Sequence, residues 1–450
     1  MNFFRSHKTE CWIAGGLAAV LLACFLLYGI DHPFDVWQEW IVVLADLLLF
    51  LLIGIVFVFR WIGDWRAPDS PLQPIRIPLS DFLKIFLLML CAHFVRILLA
   101  FLWQSIAFSF EGTIADSLWI WHGSDTRHYL AIAEHWYADY DQSGTVWRLV
   151  FLPFYSILVR LVAFLTRDAY SAGMIVSILS SCFAGCALFA LARQDWDEPT
   201  AWRAVKYCCI LPASLFQTAA LTESTFLLLS LLCMLGARRR NWLLAGIAGG
   251  LAAFTRSVGV ILLIPVGYEW LTAVIHSEKR KGPLLWGLAL LLIPAGLSGY
   301  LLINRIETGS ALTFMRLQKE NWDQQLGWFF HSVRYQLNYG LRWLREGNRQ
   351  DAIGLWFANL IAQFGSLGVM SFAAKRMRPS YLAYFLAYFA VAMGTTWLLS
   401  APRYLMVLFP LLFAMADLGR KKRIDRTLTV SCLLLGQMYL YAFIGRFDVY

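Results

Sequence analysis

Apolar runs of roughly 15 to 25 residues recur along almost the whole chain, separated by short polar stretches. They fall at about 11–30, 40–60, 81–103, 149–166, 169–192, 206–221, 223–238, 241–255, 257–275, 283–303, 353–373, 381–399, 401–418 and 425–445. Helices of about 20 residues cross a hydrocarbon core about 30 Å thick, and only helices or closed barrels satisfy their backbone there. The pattern therefore predicts an all-α, polytopic transmembrane helical bundle of about thirteen spans. The run 149–166, interrupted by Arg160, is expected to dip into the membrane and return or to lie along it, which keeps the flanking charges on consistent sides; the alternative is a full crossing, with 206–238 counted as one broken span.

Two polar stretches are too long to be simple turns, 104–148 and 304–352. Basic clusters at 238–240, 279–281, 375–378 and 420–423 mark the opposite, inner side. Both long segments are thus expected on the outer face. Residues 1–80 read as an N-terminal two-span extension and inner linker containing Arg66 and Arg76, and 81–450 as the membrane core. Arg5 and Lys8 precede the first run, but no small-residue cleavage site follows it, so it is expected to stay as an anchor.

Composition narrows the class further. With 59% hydrophobic residues and 15% charged, the chain has more apolar surface than a soluble protein of 450 residues could bury. A net charge of +9 suggests nucleic acid only until the cations are located, because they lie in the short clusters between spans. The nine cysteines sit in or beside apolar segments without CxxC pairing, which points away from zinc and from a disulfide framework.

Candidate chemistry concentrates in 122–155. A helix starting near Ser124 or Asp125 would place Asp125, His128, Tyr129, Ile132 and Trp136 on one face, a carboxylate at the end of an aromatic stripe on an outer juxtamembrane helix. Two readings are open for Asp125, a reactive carboxylate at the membrane surface or an ordinary N-cap. On the expected topology Glu223, Arg256, Gln318, Trp322 and Arg403 join Asp125 and His128 on the outer face. Arg403 alone would read as a snorkelling anchor and Glu223 as a helix cap, whereas Arg256, apolar on both flanks, calls for a partner or an anionic ligand. His122, His128 and His135 lie near Asp125, yet no HExxH pattern is present. No metal site is expected, and a divalent cation is left open as a cofactor.

These residues resemble the PIG-V family of mannosyltransferases and its prokaryotic relatives, members of the GT-C class of membrane glycosyltransferases. The resemblance runs over roughly 85–415, through Asp125-Thr126-Arg127-His128-Tyr129, Phe151-Leu152-Pro153, Pro212-Ala213-Ser214, Leu221-Thr222-Glu223-Ser224-Thr225-Phe226 and Arg256-Ser257-Val258-Gly259. It continues in Phe314, Gln318 and Trp322 and in Pro402-Arg403-Tyr404. The chain departs from the family at Ser124, Leu221-Thr222 and Val258. The resemblance implies a polyprenyl-phosphate sugar donor, most simply of mannose, and a lipid, glycan or protein acceptor hydroxyl attacking from the outer face of a prokaryotic plasma membrane. In that reading Asp125 is catalytic, and His128, Tyr129, Glu223, Arg256, Gln318, Trp322, Arg403 and Tyr404 bind substrate. A lipid-linked saccharide flippase, or a polymerase or ligase of surface glycans, is the alternative.

Overall fold

The computed structural model describes residues 7–34, 36–66, 77–123, 125–138, 147–277, 281–447 and 449. Ser124, Arg5, Arg76, Lys279 and Arg280 lie outside the described residues. The described chain is helical, apart from connecting turns and one isolated bridge between Leu326 and Thr395.

Among the described residues, eight helical segments are long and apolar enough to cross a membrane: Lys8–Asp31, Trp37–Arg66, Leu79–Ala107, Ala169–Ala192, Ser257–Ile275, Leu284–Thr308, Arg349–Arg376 and Lys422–Ile444. The apolar helices Phe154–Thr166, Trp242–Thr255, Pro379–Ala392 and Phe409–Leu418 are shorter. At 1.5 Å per residue, 13 residues (Phe154–Thr166) cover only about 20 Å. The expected thirteen crossings thus resolve into eight full-length helices and a set of shorter or broken ones.

The breaks have visible causes. The expected run 206–221 is not one helix. A helix starts earlier, at Glu198, where Asp197 caps it by accepting from the Thr200 amide, and it stops at Ile210 because Pro212 cannot continue it. A tight turn over Pro212–Gln217 then leads to the helix Glu223–Arg238. Residues 401–418 likewise divide into Ala401–Met406 and Phe409–Leu418 around Pro410. The stretch 304–352 is largely helical too, as Thr313–Trp322 and the amphipathic Phe329–Arg345, whose Phe330, Val333 and Gln336 are buried.

Glu223–Arg238 is the axis of the bundle, buried along nearly its whole length between Ala169–Ala192 and Trp242–Thr255. On its far side Trp242–Thr255 crosses Leu292–Thr308 almost backbone to backbone. A Cβ on Gly296 would lie 1.9 Å from the Gly250 carbonyl oxygen and one on Gly250 would lie 2.5 Å from the Leu292 carbonyl oxygen, so both positions require glycine. The first two spans are built into the bundle. Trp37–Arg66 packs on Phe329–Arg345, Ala358–Ala373 and Pro379–Ala392, and Arg334 meets Glu39 at 2.6 Å.

Two polar features inside this apolar frame were not expected. Arg96, midway along Leu79–Ala107, is buried and donates to the Cys209 carbonyl (3.2 Å) and to Thr218 Oγ1 (3.0 Å), with no carboxylate at ion-pairing distance among the described residues. At the end of the axial helix, Arg238 is also buried. It contacts Asp195 (2.7 Å) and Glu269 (3.3 Å), and Arg378 reaches the same two acids at 3.4 and 3.2 Å. Ser380 and Tyr381 each add a hydrogen bond of 2.6 Å. Arg238 is therefore more than the orientation marker its place in a basic cluster suggests.

Candidate functional site

The other end of the axial helix carries a second ion cluster, assembled from four separate segments. Asp125 precedes the short helix Thr126–His135, Glu223 opens the axial helix, Arg256 follows Trp242–Thr255 and Arg403 lies in Ala401–Met406. Each is placed by local chain chemistry. Arg256 is extended (φ −146°, ψ 134°), and the chain turns at once, with the Gly259 amide donating to the Arg256 carbonyl at 2.8 Å. A Cβ on Gly259 would come within 2.5 Å of the Ala252 and Ala253 backbone, so this turn needs glycine. Arg403 follows Pro402, which suits the first turn of a helix.

Their side chains form one chain of charges. Arg403 donates through Nη1 to Asp125 Oδ2 at 2.6 Å and through Nε to Glu223 Oε1. Arg256 Nη1 donates to the same Glu223 oxygen at 2.7 Å. Rings line the cations: the Arg256 guanidinium lies 5.2 Å from the Tyr404 ring centroid and 5.9 Å from Phe226, and Arg403 lies 5.7 Å from Phe216. Glu223 is fully buried, yet its Oε2 has no hydrogen-bond partner among the described residues. Asp125 keeps 31% of its side-chain surface exposed, against 5% for Arg403.

Asp125 occupies the N-cap position of Thr126–His135 but makes no side-chain cap bond; its carboxylate is turned to Arg403 instead. Arg403 is buried and doubly paired, which is not how a snorkelling anchor sits. Glu223 stands in the first turn of its helix but spends its bound oxygen on the two arginines.

The aromatic stripe is shorter than expected and faces the bundle. The helix ends at His135 and Trp136 turns to positive φ (61°), while His128, Tyr129 and Ile132 are buried. His128 is clasped by Phe151 and Trp147, both with ring centroids at 4.7 Å, and Trp322 packs on the same two rings at 5.8 and 6.0 Å. Burial, helped by Arg127 and Arg148 and opposed by Asp125, pushes the His128 imidazole down to about 4. Its neutral ring accepts from Arg127 Nε at 3.3 Å. Tyr129 lies within electrostatic reach of all four charges and against Phe151 and Tyr155. Gln318 is one turn before Trp322 and donates to Gln324, which in turn donates to the Trp397 carbonyl at 2.9 Å. It reaches the loop ahead of Arg403, and no contact joins it to the four charges.

The three histidines do not converge. His122 stacks on Trp119 at 4.4 Å, His135 is exposed beside Glu134, and no group of three His, Cys, Asp or Glu suited to a metal occurs among the described residues. The sequence reading missed Phe216, Phe226 and Tyr388, whose hydroxyl donates to the Tyr404 carbonyl at 2.9 Å. Phe226 was findable, lying one turn after Glu223 on the same helix.

No protein-family model and no curated protein sequence matches this chain. Among solved structures it is similar to ArnT from Cupriavidus metallidurans in the apo state, with 13% identity over 75% of this chain and 76% of that one and a TM-score of 0.46. ArnT of the same organism bound to undecaprenyl phosphate gives 14% identity, 74% and 75% coverage, and a TM-score of 0.45. The archaeal oligosaccharyltransferase AglB from Archaeoglobus fulgidus, in complex with an inhibitory peptide and a dolichol-phosphate, gives 12% identity over 82% of this chain and 56% of that one, with a TM-score of 0.41. At these values, activity is argued from the site.

Proposed function

We propose that this chain is a membrane glycosyltransferase of the GT-C class. It moves a hexose, mannose by its resemblance to the PIG-V family, from a polyprenyl-phosphate donor to an acceptor hydroxyl on the outer face of a prokaryotic plasma membrane. One observation carries the reading: a partly exposed carboxylate and two guanidiniums, drawn from segments up to 278 residues apart, meet in one cluster beside an aromatic wall.

The chemistry required is a single displacement. The acceptor oxygen attacks the anomeric carbon while its proton passes to the Asp125 carboxylate. The bond from the anomeric carbon to the phosphate oxygen breaks, and the polyprenyl phosphate leaves with the electron pair. The configuration at the sugar is inverted. Charge gathers on the departing phosphate, where Arg256 and Arg403 supply the positive field in a site largely closed to water. The rings of Tyr129, Trp322 and Tyr404, with His128 neutral behind them, offer the flat apolar faces that sugar C–H groups pack against, and Gln318 offers an amide. Charge stabilisation in this reading comes from the guanidiniums, and no residue is assigned to a divalent cation.

Purified protein in proteoliposomes, given a polyprenyl-phosphate hexose and a membrane glycolipid extract, is the test. Formation of a hexose-extended product detected by mass spectrometry supports the proposal. Movement of the donor between leaflets with no product supports a flippase and sinks it.

A further inference from the structure

The two arginines of the cluster are not equivalent, and the difference lies in their partners. Arg403 contacts two carboxylates at once, Asp125 through Nη1 and Glu223 through Nε, and is 95% withdrawn from solvent. Among the described residues Arg256 pairs with Glu223 alone, keeps 14% of its side chain exposed, and has its guanidinium spread over the Tyr404 and Phe226 rings. A second carboxylate on Arg403 offsets its charge, so an incoming phosphate gains less there than at Arg256, where one carboxylate is divided between two cations.

Asp125 is held in an uncommon way for its position. A residue in its position would ordinarily turn its side chain back to the helix amides, yet it makes no cap bond, and its backbone is αR (φ −74°, ψ −3°). What holds the carboxylate out is the Arg403 fork, anchored behind by Glu223 and backed by Phe216. The other groups facing Asp125 are His128 and Tyr129 on its own helix, Tyr404 beside Arg403, and Arg127. Among the described residues, none of these side chains hydrogen-bonds the Asp125 carboxylate; the His128 and Tyr129 amides donate to the Asp125 carbonyl instead.

We propose that Arg403 is a positioning residue for Asp125, fixing the carboxylate's direction toward the acceptor, and that Arg256 is the guanidinium that meets the donor phosphate. Glu223 sets the spacing, since its single bound oxygen receives both cations. This deepens the reading of Asp125 as general base and rests on it. Lysine cannot replace the fork at position 403, because one ammonium does not span two carboxylates in a fixed plane.

The test compares Arg403→Lys with Arg256→Lys, each alone and on top of Asp125→Asn, in proteoliposomes. The expected outcome is a kcat lowered about tenfold or more in Arg403→Lys with the donor KM within about twofold, and a donor KM raised about tenfold in Arg256→Lys. On the Asp125→Asn background, Arg403→Lys adds no further loss, because it acts through the residue already removed, whereas Arg256→Lys still does. Binding of a polyprenyl phosphate without sugar is measured in parallel and is expected to weaken only in Arg256→Lys. Equal rises in donor KM from both exchanges, or a full additional loss from Arg403→Lys on Asp125→Asn, overturn the assignment. If Arg403→Lys does not insert, Asp125→Glu serves instead, which lengthens the reach to the fork: an effect on donor KM rather than kcat overturns the proposal equally. A wild-type protein that transfers no sugar retires the glycosyltransferase reading itself, and the binding arm then stands alone on which guanidinium takes the phosphate.

Discussion

The axial helix Glu223–Arg238 ends in an ion cluster at each terminus, two acids and two arginines in both cases, about 22 Å apart by helical rise. At the Arg238 end each carboxylate oxygen has a donor: Asp195 takes Arg238, Arg378 and Tyr381, and Glu269 takes Arg238, Arg378 and Ser380. At the Glu223 end, Oε2 is left without a donor, Asp125 is partly exposed, and the guanidiniums rest on rings. Identical charge counts thus serve different ends. The first cluster leaves no carboxylate oxygen without a donor, its one unpartnered buried atom among the described residues being Arg238 Nε, and it clamps three helices and a turn; the second leaves a carboxylate oxygen open.

The largest difference between the two ends is expected at Asp125. Asp125→Asn keeps size and shape but cannot usefully take a proton, so transfer is expected to fall by about 10²–10⁴ with insertion and thermal stability near those of the parent. Near-normal turnover would return Asp125 to a structural part and direct attention to Asp116 or Glu134. The mirror experiment is Glu269→Ala. Removing one acid from a saturated buried cluster strands its cations, at a cost of about 3–5 kcal/mol, seen as a lower melting temperature in detergent. Transfer per folded molecule should be unchanged; a hundredfold loss there would erase the distinction between the two ends.

Much of the Glu223 end was legible in the sequence, because short motifs in order put Asp125, Glu223, Arg256 and Arg403 on the page before their geometry did. The saturated end was not read, though a signal existed. Glu269 stands inside the apolar run 257–275 just as Arg96 stands inside 81–103, and lone charges in such runs demand partners. Their partners could not be named, since Asp195 is 43 residues from Arg238 and Glu269 is 111 from Ser380, separations that no local periodicity encodes. Helix boundaries failed for another reason. A hydropathy run does not register Pro212 or Pro410 as breaks, nor the Asp197 cap that starts a helix in a polar stretch.

Smaller effects probe how each cluster is held. Gly296→Val drives a side chain into the Gly250 carbonyl and pushes Leu292–Thr308 away from Trp242–Thr255, the helix that leads into Arg256, with an expected loss of about 1–3 kcal/mol by thermal unfolding and a parallel loss of donor affinity. Stability unaffected by this exchange would show that the crossing is looser than 1.9 Å allows. The smallest effect is that of pH. His128 and His331 are both held at about 4, each chiefly by burial, below the ordinary value of 6.5. A depressed imidazole binds protons more readily when unfolded, so its contribution is complete above about 6.5 and fades as pH falls toward 4. The melting temperature should therefore drop across that window, and less steeply in His128→Phe; equal slopes would mean that His128 titrates normally.

Arg96 bears on how the bundle comes to exist. A guanidinium near the middle of a span costs about 2.5–3.5 kcal/mol at insertion. Leu79–Ala107 therefore enters the bilayer as a weaker span than its leucines alone suggest. The groups that receive Arg96, the Cys209 carbonyl and the Thr218 hydroxyl, are made more than a hundred residues later. The Cys209 carbonyl is open to Arg96 because Pro212 ends the helix Glu198–Ile210 and frees its last carbonyls, and Thr218 follows directly on the turn that the proline begins. The same proline that spoils a span thus creates the socket that settles an earlier one. During synthesis the third helix must wait, under-satisfied, until the broken segment arrives beside it, and the chain's biogenesis carries an order that its finished packing conceals.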